Sequence, residues 1–308
     1  MDYAKAFDTV PHERLLAQLS TLGIRGSTLS WIRSFLTGRE QSVTVNGSLS
    51  EWSNVSSGVL QGSVLGPLLF TMFVSDVPNL LDNYISMFAD DTKIYQILEQ
   101  LDPQQFLQGD LDKLQTYKMQ MLFHPEKCKV MHLGSNNPRM NYTTSSNNNT
   151  WVPFVVAEEE KDLRVIIDNE LKFSQHIQAQ ANKANRVLGA LQHTFLALDK
   201  TACLNLYKSL IRPLLEYASV VWNPALKRDK DTLEKVQQRA TRLAQGLSHL
   251  SYSDRLASFQ LPTLQFRRLR ADVIQTFKIL KNIDNINFQY VERQCSKQQE
   301  VLPPEDIT

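Results

Sequence analysis

The sequence predicts an α+β fold in two parts. In the front half, helix-period and strand-period apolar patterns alternate; in the rear half, long helical stripes dominate; between them lies a polar, asparagine-rich stretch. These three observations set candidate boundaries: a mixed domain over 1–134, a linker over 135–150, a basic and mainly helical region over 151–285, and a tail over 286–308. At 308 residues, 42% of them hydrophobic, the chain can bury one large core or two modest ones.

Taken in order, HERLLAQLSTLG and STLSWIRSFLTG space apolar residues at helical intervals and end in glycine, which predicts two short helices. SVTVNGSLSEW alternates about Asn46-Gly47, a hairpin signal because both residues tolerate positive φ. GSVLGPLLFTMFVSDV leaves a glycine loop for an apolar helix, and ISMFADDTKIYQI reads as strand, tight acidic turn and strand. SNNPRMNYTTSSNNNT has no periodicity and is the expected linker. Beyond it, LRVIID predicts a short strand. Three helical stripes follow as core faces: Leu204, Tyr207, Ile211 and Leu214; Leu233, Val236, Ala240 and Leu243; Phe266, Leu269, Val273, Phe277 and Leu280.

Charge is distributed unevenly. Residues 1–160 carry 11 Lys and Arg against 17 Asp and Glu; residues 161–281 carry 20 against 10; residues 282–308 carry 2 against 5. A basic block behind an acidic one suits a rear half that holds a polyanion and a front half that holds cations. Lys235, Arg239 and Arg242 share one helical face, and Arg267, Arg270, Lys278 and Lys281 another, giving two candidate ridges for phosphate contact. Either ridge alone reads equally as a solvated face. Cys128, Cys203 and Cys295 are odd in number and show no metal-type spacing, which points to a reducing compartment. No apolar run is long enough to span a bilayer.

The chemistry concentrates in MFADDTKIY. Asp90 and Asp91 are adjacent carboxylates between apolar residues at an expected hairpin tip. Ionised neighbours repel, and half-burying both is costly unless a cation lies between them. Oxygen-only ligands suit Mg²⁺, with Mn²⁺ as the alternative ion. An Asp-Asp pair in a turn is common, so the pair alone does not decide the matter.

In order along the chain, DYAKAFDTVPH, GVLQGSVLGPLLF, FADD and HPEKCKVMHLG resemble the palm motifs of reverse transcriptases from non-LTR, LINE-type retrotransposons of the jockey-like branch. EKDLRVIIDNELKFSQHI, LYKSLIRPLLEYASVVWNP and LPTLQFRRLRADVIQTFKIL resemble the segment that follows the polymerase in those elements. The resemblance implies a partial polymerase palm, an antiparallel sheet with packed helices, followed by a helical thumb. It implies an RNA-directed DNA polymerase acting on an RNA template, a DNA primer and dNTPs. Asp2, Asp90 and Asp91 would hold two Mg²⁺ ions; Phe7 would lie against the sugar and favour dNTPs; Gln61 and Gly62 would lie beside the incoming nucleotide; Lys127 would protonate the departing pyrophosphate.

Departures from the family pattern carry their own expectations. No fingers segment stands ahead of Met1, so the chain reads as a fragment truncated at its first motif and weak or inactive by itself. His124 stands where asparagine is usual, and Arg164 stands for a usual glycine, which would strain a turn. The alternatives are a non-catalytic remnant that retains RNA or DNA binding, and, least well matched by its motifs, a maturase-type palm polymerase. No endonuclease, zinc knuckle or RNase H cluster is visible among the scattered histidines. An intracellular ribonucleoprotein, nuclear or cytoplasmic, is the expected setting; oligomeric state is not readable.

Overall fold

The computed structural model describes residues 5–98, 102–116, 123–124, 126–134, 136–145, 150–195 and 197–284. Asp2, Cys295 and the tail at 286–308 lie outside the described residues. The chain forms two compact units, Met1–Glu158 and Glu159–Thr308, each with its own hydrophobic core.

The first unit opens with helices α1 (His12–Thr21) and α2 (Gly26–Leu36). Buried His12, Leu15, Leu16 and Leu19 recur at the 3–4 residue interval that lines one helix face, and that helix packs on α2 and on the later helix α3 (Leu65–Phe73). Strands β1 (Arg39–Gln41), β2 (Thr44–Val45), β3 (Ser48–Leu49) and β4 (Ser53–Val55) form two nested antiparallel pairs, β1 with β4 and β2 with β3. The inner hairpin turns on Asn46 and Gly47 at φ of +49° and +84°, as their residue types predict. α3 (Leu65–Phe73) inserts Leu69, Phe70 and Phe73 into the core. Strands β5 (Tyr84–Phe88) and β6 (Asp91–Tyr95) form the acidic hairpin, and α4 (Pro103–Thr116) follows.

α4 buries Asp110, which accepts the backbone N–H groups of Asp82 and Asn83 and pairs with Lys113. Burial would raise its pKa, but these bonds outweigh burial and hold the carboxyl below its usual range. β7 (Lys129–Val130) pairs in parallel with β10 (Val155–Val156), while β8 (Thr143–Ser145) and β9 (Trp151–Pro153) form a further antiparallel pair. The expected linker at 135–150 is therefore corrected: its second half contains a paired strand, with Tyr142 and Thr144 buried, and the division between units falls at Glu158.

The second unit begins with the hairpin β11 (Glu159–Asp162) and β12 (Val165–Asp168). Its two-residue turn puts Leu163 and Arg164 at φ of +43° and +72°, so the arginine occupies a left-handed position that favours glycine. Among the described residues helices follow: α5 (Ser174–Thr194), α6 (Lys200–Leu206), α7 (Arg212–Glu216), α8 (Ser219–Trp222), α9 (Lys227–Ala240), α10 (Tyr252–Phe259) and α11 (Leu264–Leu280). A π turn at Tyr207–Ile211 leads into α7, where Pro213 lacks the N–H that a regular helix would use. Asp199, Ser251 and Thr263 cap α6, α10 and α11 by accepting the backbone N–H three residues on.

Two of the three predicted stripes face the core: Tyr207, Ile211, Leu233, Val236 and Ala240 are buried. The third does not. Phe266, Leu269, Val273, Phe277 and Leu280 are 54–68% exposed, whereas Leu264 and Arg268 on the opposite side of α11 are buried. Periodicity identified the apolar face correctly, but which face turns toward the unit is decided by packing against α8 and α9.

A polar network threads this second core. Tyr207 donates to Gln237, Gln237 donates to Tyr252 and to the Pro262 carbonyl, and Tyr252 donates to Glu234, which accepts the Leu264 N–H. Burial, together with the nearby carboxylates, pushes both phenols above their ordinary pKa.

Candidate active site

The β5–β6 hairpin fixes the acidic pair. Ile85, Met87 and Ile94 pack against the first core, while Tyr84, Ser86 and Phe88 are exposed, the period-two alternation of a half-buried strand. Phe88 pairs with Asp91 across the last rung, which leaves Ala89 and Asp90 as a two-residue turn. So tight a reversal requires positive φ within the turn, and Ala89 supplies it at +53° at a cost of about 1–2 kcal/mol. Asp90 is half-buried in the turn; Asp91 is exposed at the head of β6.

Asp90 and Asp91 are neighbouring carboxylates in and beside the turn, oxygen donors of the kind that suits a hard divalent cation. Among the described residues no group of three His, Cys, Asp or Glu side chains could hold a metal ion, and Asp2, the third ligand expected from the sequence, lies outside the described residues.

A second element sits on the same core. Phe7 stacks on Phe70 of α3, with centroids 4.8 Å apart and planes inclined by 20°. Its backbone is held as well: Val59 N–H donates to Phe7 O at 2.7 Å, Gly58 N–H to Val10 O at 2.8 Å, and Ser57 Oγ to Asp8 O at 2.9 Å. The segment after Asp2 is thereby tied to the glycine loop that carries Gln61 and Gly62, both exposed.

The loop's glycines differ in what demands them. Gly58 has φ +91°, and a Cβ there would lie 2.7–2.9 Å from Asp8 backbone atoms; at Gly66 it would meet Leu60 O at 2.3 Å. Gly62, the one singled out from sequence, has φ +87° but open space around it, so only its backbone conformation restricts a substitution.

Lys127 is exposed in a turn where its N–H donates to His124 O at 3.0 Å, just ahead of buried Cys128 and β7. Cys128, Phe7 and the inward face of the hairpin belong to one core, so three of the sequence-predicted elements share one foundation.

The rear-half cations separate into two groups. Lys235, Arg239 and Arg242 are exposed on one side of α9 and its C-terminal turn, with Arg239 also donating to Asn185 Oδ1 at 3.0 Å. Arg270 and Lys281 are exposed and Lys278 is half-buried. Arg267 is a correction: Glu216 engages its guanidinium through both carboxylate oxygens and raises its pKa, so it braces α11 against α7 instead of extending the ridge.

Sequence reasoning missed two residues at the glycine loop. The Gly58 carbonyl accepts from His12 Nε2 at 2.9 Å and from Arg39 Nη2 at 2.8 Å, and Arg39 also donates to Leu36 O. His12 is buried. It lies 46 residues from Gly58, so no local pattern marks the contact.

Residues 1–189 match the family described as reverse transcriptase (RNA-dependent DNA polymerase). The chain belongs to the reverse transcriptase family. It is similar to the RNA-directed DNA polymerase from mobile element jockey of Drosophila funebris, with 30% identity over 265 residues, 80% of this chain and 28% of that protein. The corresponding jockey protein of Drosophila melanogaster is 29% identical over 263 residues, again 80% of this chain and 28% of the relative. The probable RNA-directed DNA polymerase from transposon X-element of Drosophila melanogaster is 25% identical over 265 residues, with the same coverage. These relatives are the jockey-like, non-LTR type that the motifs resemble, and the chain spans 28% of their length.

Proposed function

We propose that this chain is the palm and adjoining thumb portion of an RNA-directed DNA polymerase of a jockey-like non-LTR retrotransposon. The observation that carries the reading is the acidic hairpin: Asp90 and Asp91 at the tip of β5–β6, built on the same core as Phe7 and the Gly58–Gly62 loop. Family membership supports it.

On this reading Asp90 and Asp91, with Asp2, would hold the divalent ions, Mg²⁺ or Mn²⁺. When bound, such ions lower the pKa of a primer hydroxyl and neutralise charge on the triphosphate. Phe7, braced by Phe70, presents an aromatic surface where a 2′-hydroxyl would collide, favouring dNTPs. Gln61 and Gly62 leave the loop open toward a base pair. Lys127 donates a proton to the leaving pyrophosphate. Lys235, Arg239 and Arg242 hold the backbone of the template and primer. The setting is an intracellular ribonucleoprotein.

Primer extension on an RNA template with Mg²⁺ or Mn²⁺ tests the reading. Extension by the full chain that Asp90→Ala abolishes supports it. Salt-sensitive RNA binding without any extension favours the non-catalytic remnant.

A further inference from the structure

α11 carries its apolar residues on a side that the described residues of its unit leave exposed. Phe266, Leu269, Val273, Phe277 and Leu280 are exposed by 58%, 60%, 61%, 54% and 68%, and Ile274 beside them by 45%. The buried side holds Leu264 and Arg268 and packs on α8 and α9. A soluble helix seldom exposes a continuous stripe of this kind unless something covers it.

The stripe has an internal symmetry. About Val273, the apolar residues fall at four and seven positions to either side: Leu269 and Phe277, then Phe266 and Leu280. We propose that α11 pairs with α11 of a second copy of this chain, antiparallel, about a two-fold axis through Val273. In that arrangement Phe266 meets Leu280 of the second copy, Leu269 meets Phe277, and Val273 meets its own equivalent. Each large ring faces a leucine, the interval of three and four keeps the seam on one side, and the contact is self-complementary as a two-fold interface requires.

Charge and area agree with this occupant. The same register sets Arg270 opposite Thr276 and Lys281 opposite Gln265, so the two exposed cations of the stripe do not meet their own copies. Six large side chains, each about half exposed or more, offer on the order of 500–700 Å² per copy, close to the roughly 800 Å² per partner of a standard specific interface. The proposal does not depend on polymerase activity.

Sedimentation velocity of the full chain tests it, with circular dichroism to confirm that each variant folds. The wild type is expected to be dimeric at about 50 µM. Val273→Arg, which brings two like charges onto the axis, is expected to weaken the dimer at least about tenfold. Leu269→Lys and Phe277→Glu should each do the same, and the double variant should recover the dimer, because position 269 meets position 277 of the other copy. All three side-chain changes fall on exposed positions. A wild type that stays monomeric overturns the proposal, whether the stripe is covered by another part of the chain or by nucleic acid. So does a dimer indifferent to Val273→Arg, or a double variant no better than the singles.

Discussion

Replacing Gly58 by alanine should damage the first unit far more than replacing Gly62. Both glycines sit at strongly positive φ, +91° and +87°, so a Cβ costs each about 1–2 kcal/mol in backbone conformation. At Gly62 the cost ends there, since a Cβ meets nothing within 4 Å. At Gly58 it would lie 2.7 Å from Asp8 O and under 3 Å from Asp8 Cα and C, atoms that cannot swing aside like a side-chain tip. Moving the loop to relieve that overlap adds about 1–3 kcal/mol of overpacking. It also stretches the Gly58–Val10 and Val59–Phe7 bonds and the His12 and Arg39 contacts, each worth about 1 kcal/mol. Backbone conformation and overpacking alone come to about 2–5 kcal/mol for Gly58→Ala, before any weakening of those bonds, against about 1–2 kcal/mol for Gly62→Ala. Urea unfolding of the full chain, with hydrogen exchange followed in peptides spanning 5–20 and 55–62, measures both. Equal losses, or unchanged protection of those peptides in Gly58→Ala, would refute the claim that this loop is locked to the segment carrying Phe7.

Other outcomes follow from the second unit. Arg164→Gly relieves a left-handed arginine in the β11–β12 turn and should stabilise that unit by about 1 kcal/mol, seen as a rise of about 3 °C in its thermal midpoint. His176 is buried, accepts the Ile166 N–H at Nδ1, and has its pKa lowered by desolvation. As pH falls through the ordinary histidine value of 6.5, the unfolded chain takes up a proton before the folded chain does, so stability present above that pH is lost below it. His176→Gln should flatten that dependence in urea unfolding; a curve as steep as the wild type's would show that another group is responsible. Changing Lys235, Arg239 and Arg242 together to alanine should weaken RNA binding and lower the slope of affinity against salt by about 2 in log units. An unchanged slope would remove α9 from the nucleic-acid surface.

Elements governed by neighbours in the chain were legible from residues alone. Asn46-Gly47 turns the inner hairpin because those two residues accept positive φ at little cost. α1 and α3 form where apolar residues recur at helical spacing, and β5–β6 forms where two apolar runs flank a short acidic break. The acidic pair was legible for the same reason, since its position depends on a two-residue turn. The strain at Arg164 was anticipated by the family resemblance, which puts glycine at that position.

What tertiary structure decided are contacts between residues far apart in sequence. Glu216 withdraws Arg267 from the basic ridge across 51 positions, and His12 reaches Gly58 across 46. Gly58, unlike Gly62, is sterically restricted because the Asp8 backbone crosses it. The stripe on α11 shows the division most clearly. The spacing of Phe266, Leu269, Val273, Phe277 and Leu280 determined that the helix has one apolar side. Whether that side faces inward depends on how α8 and α9 pack and on Leu264 and Arg268 taking the inner positions, and periodicity carries no information about either.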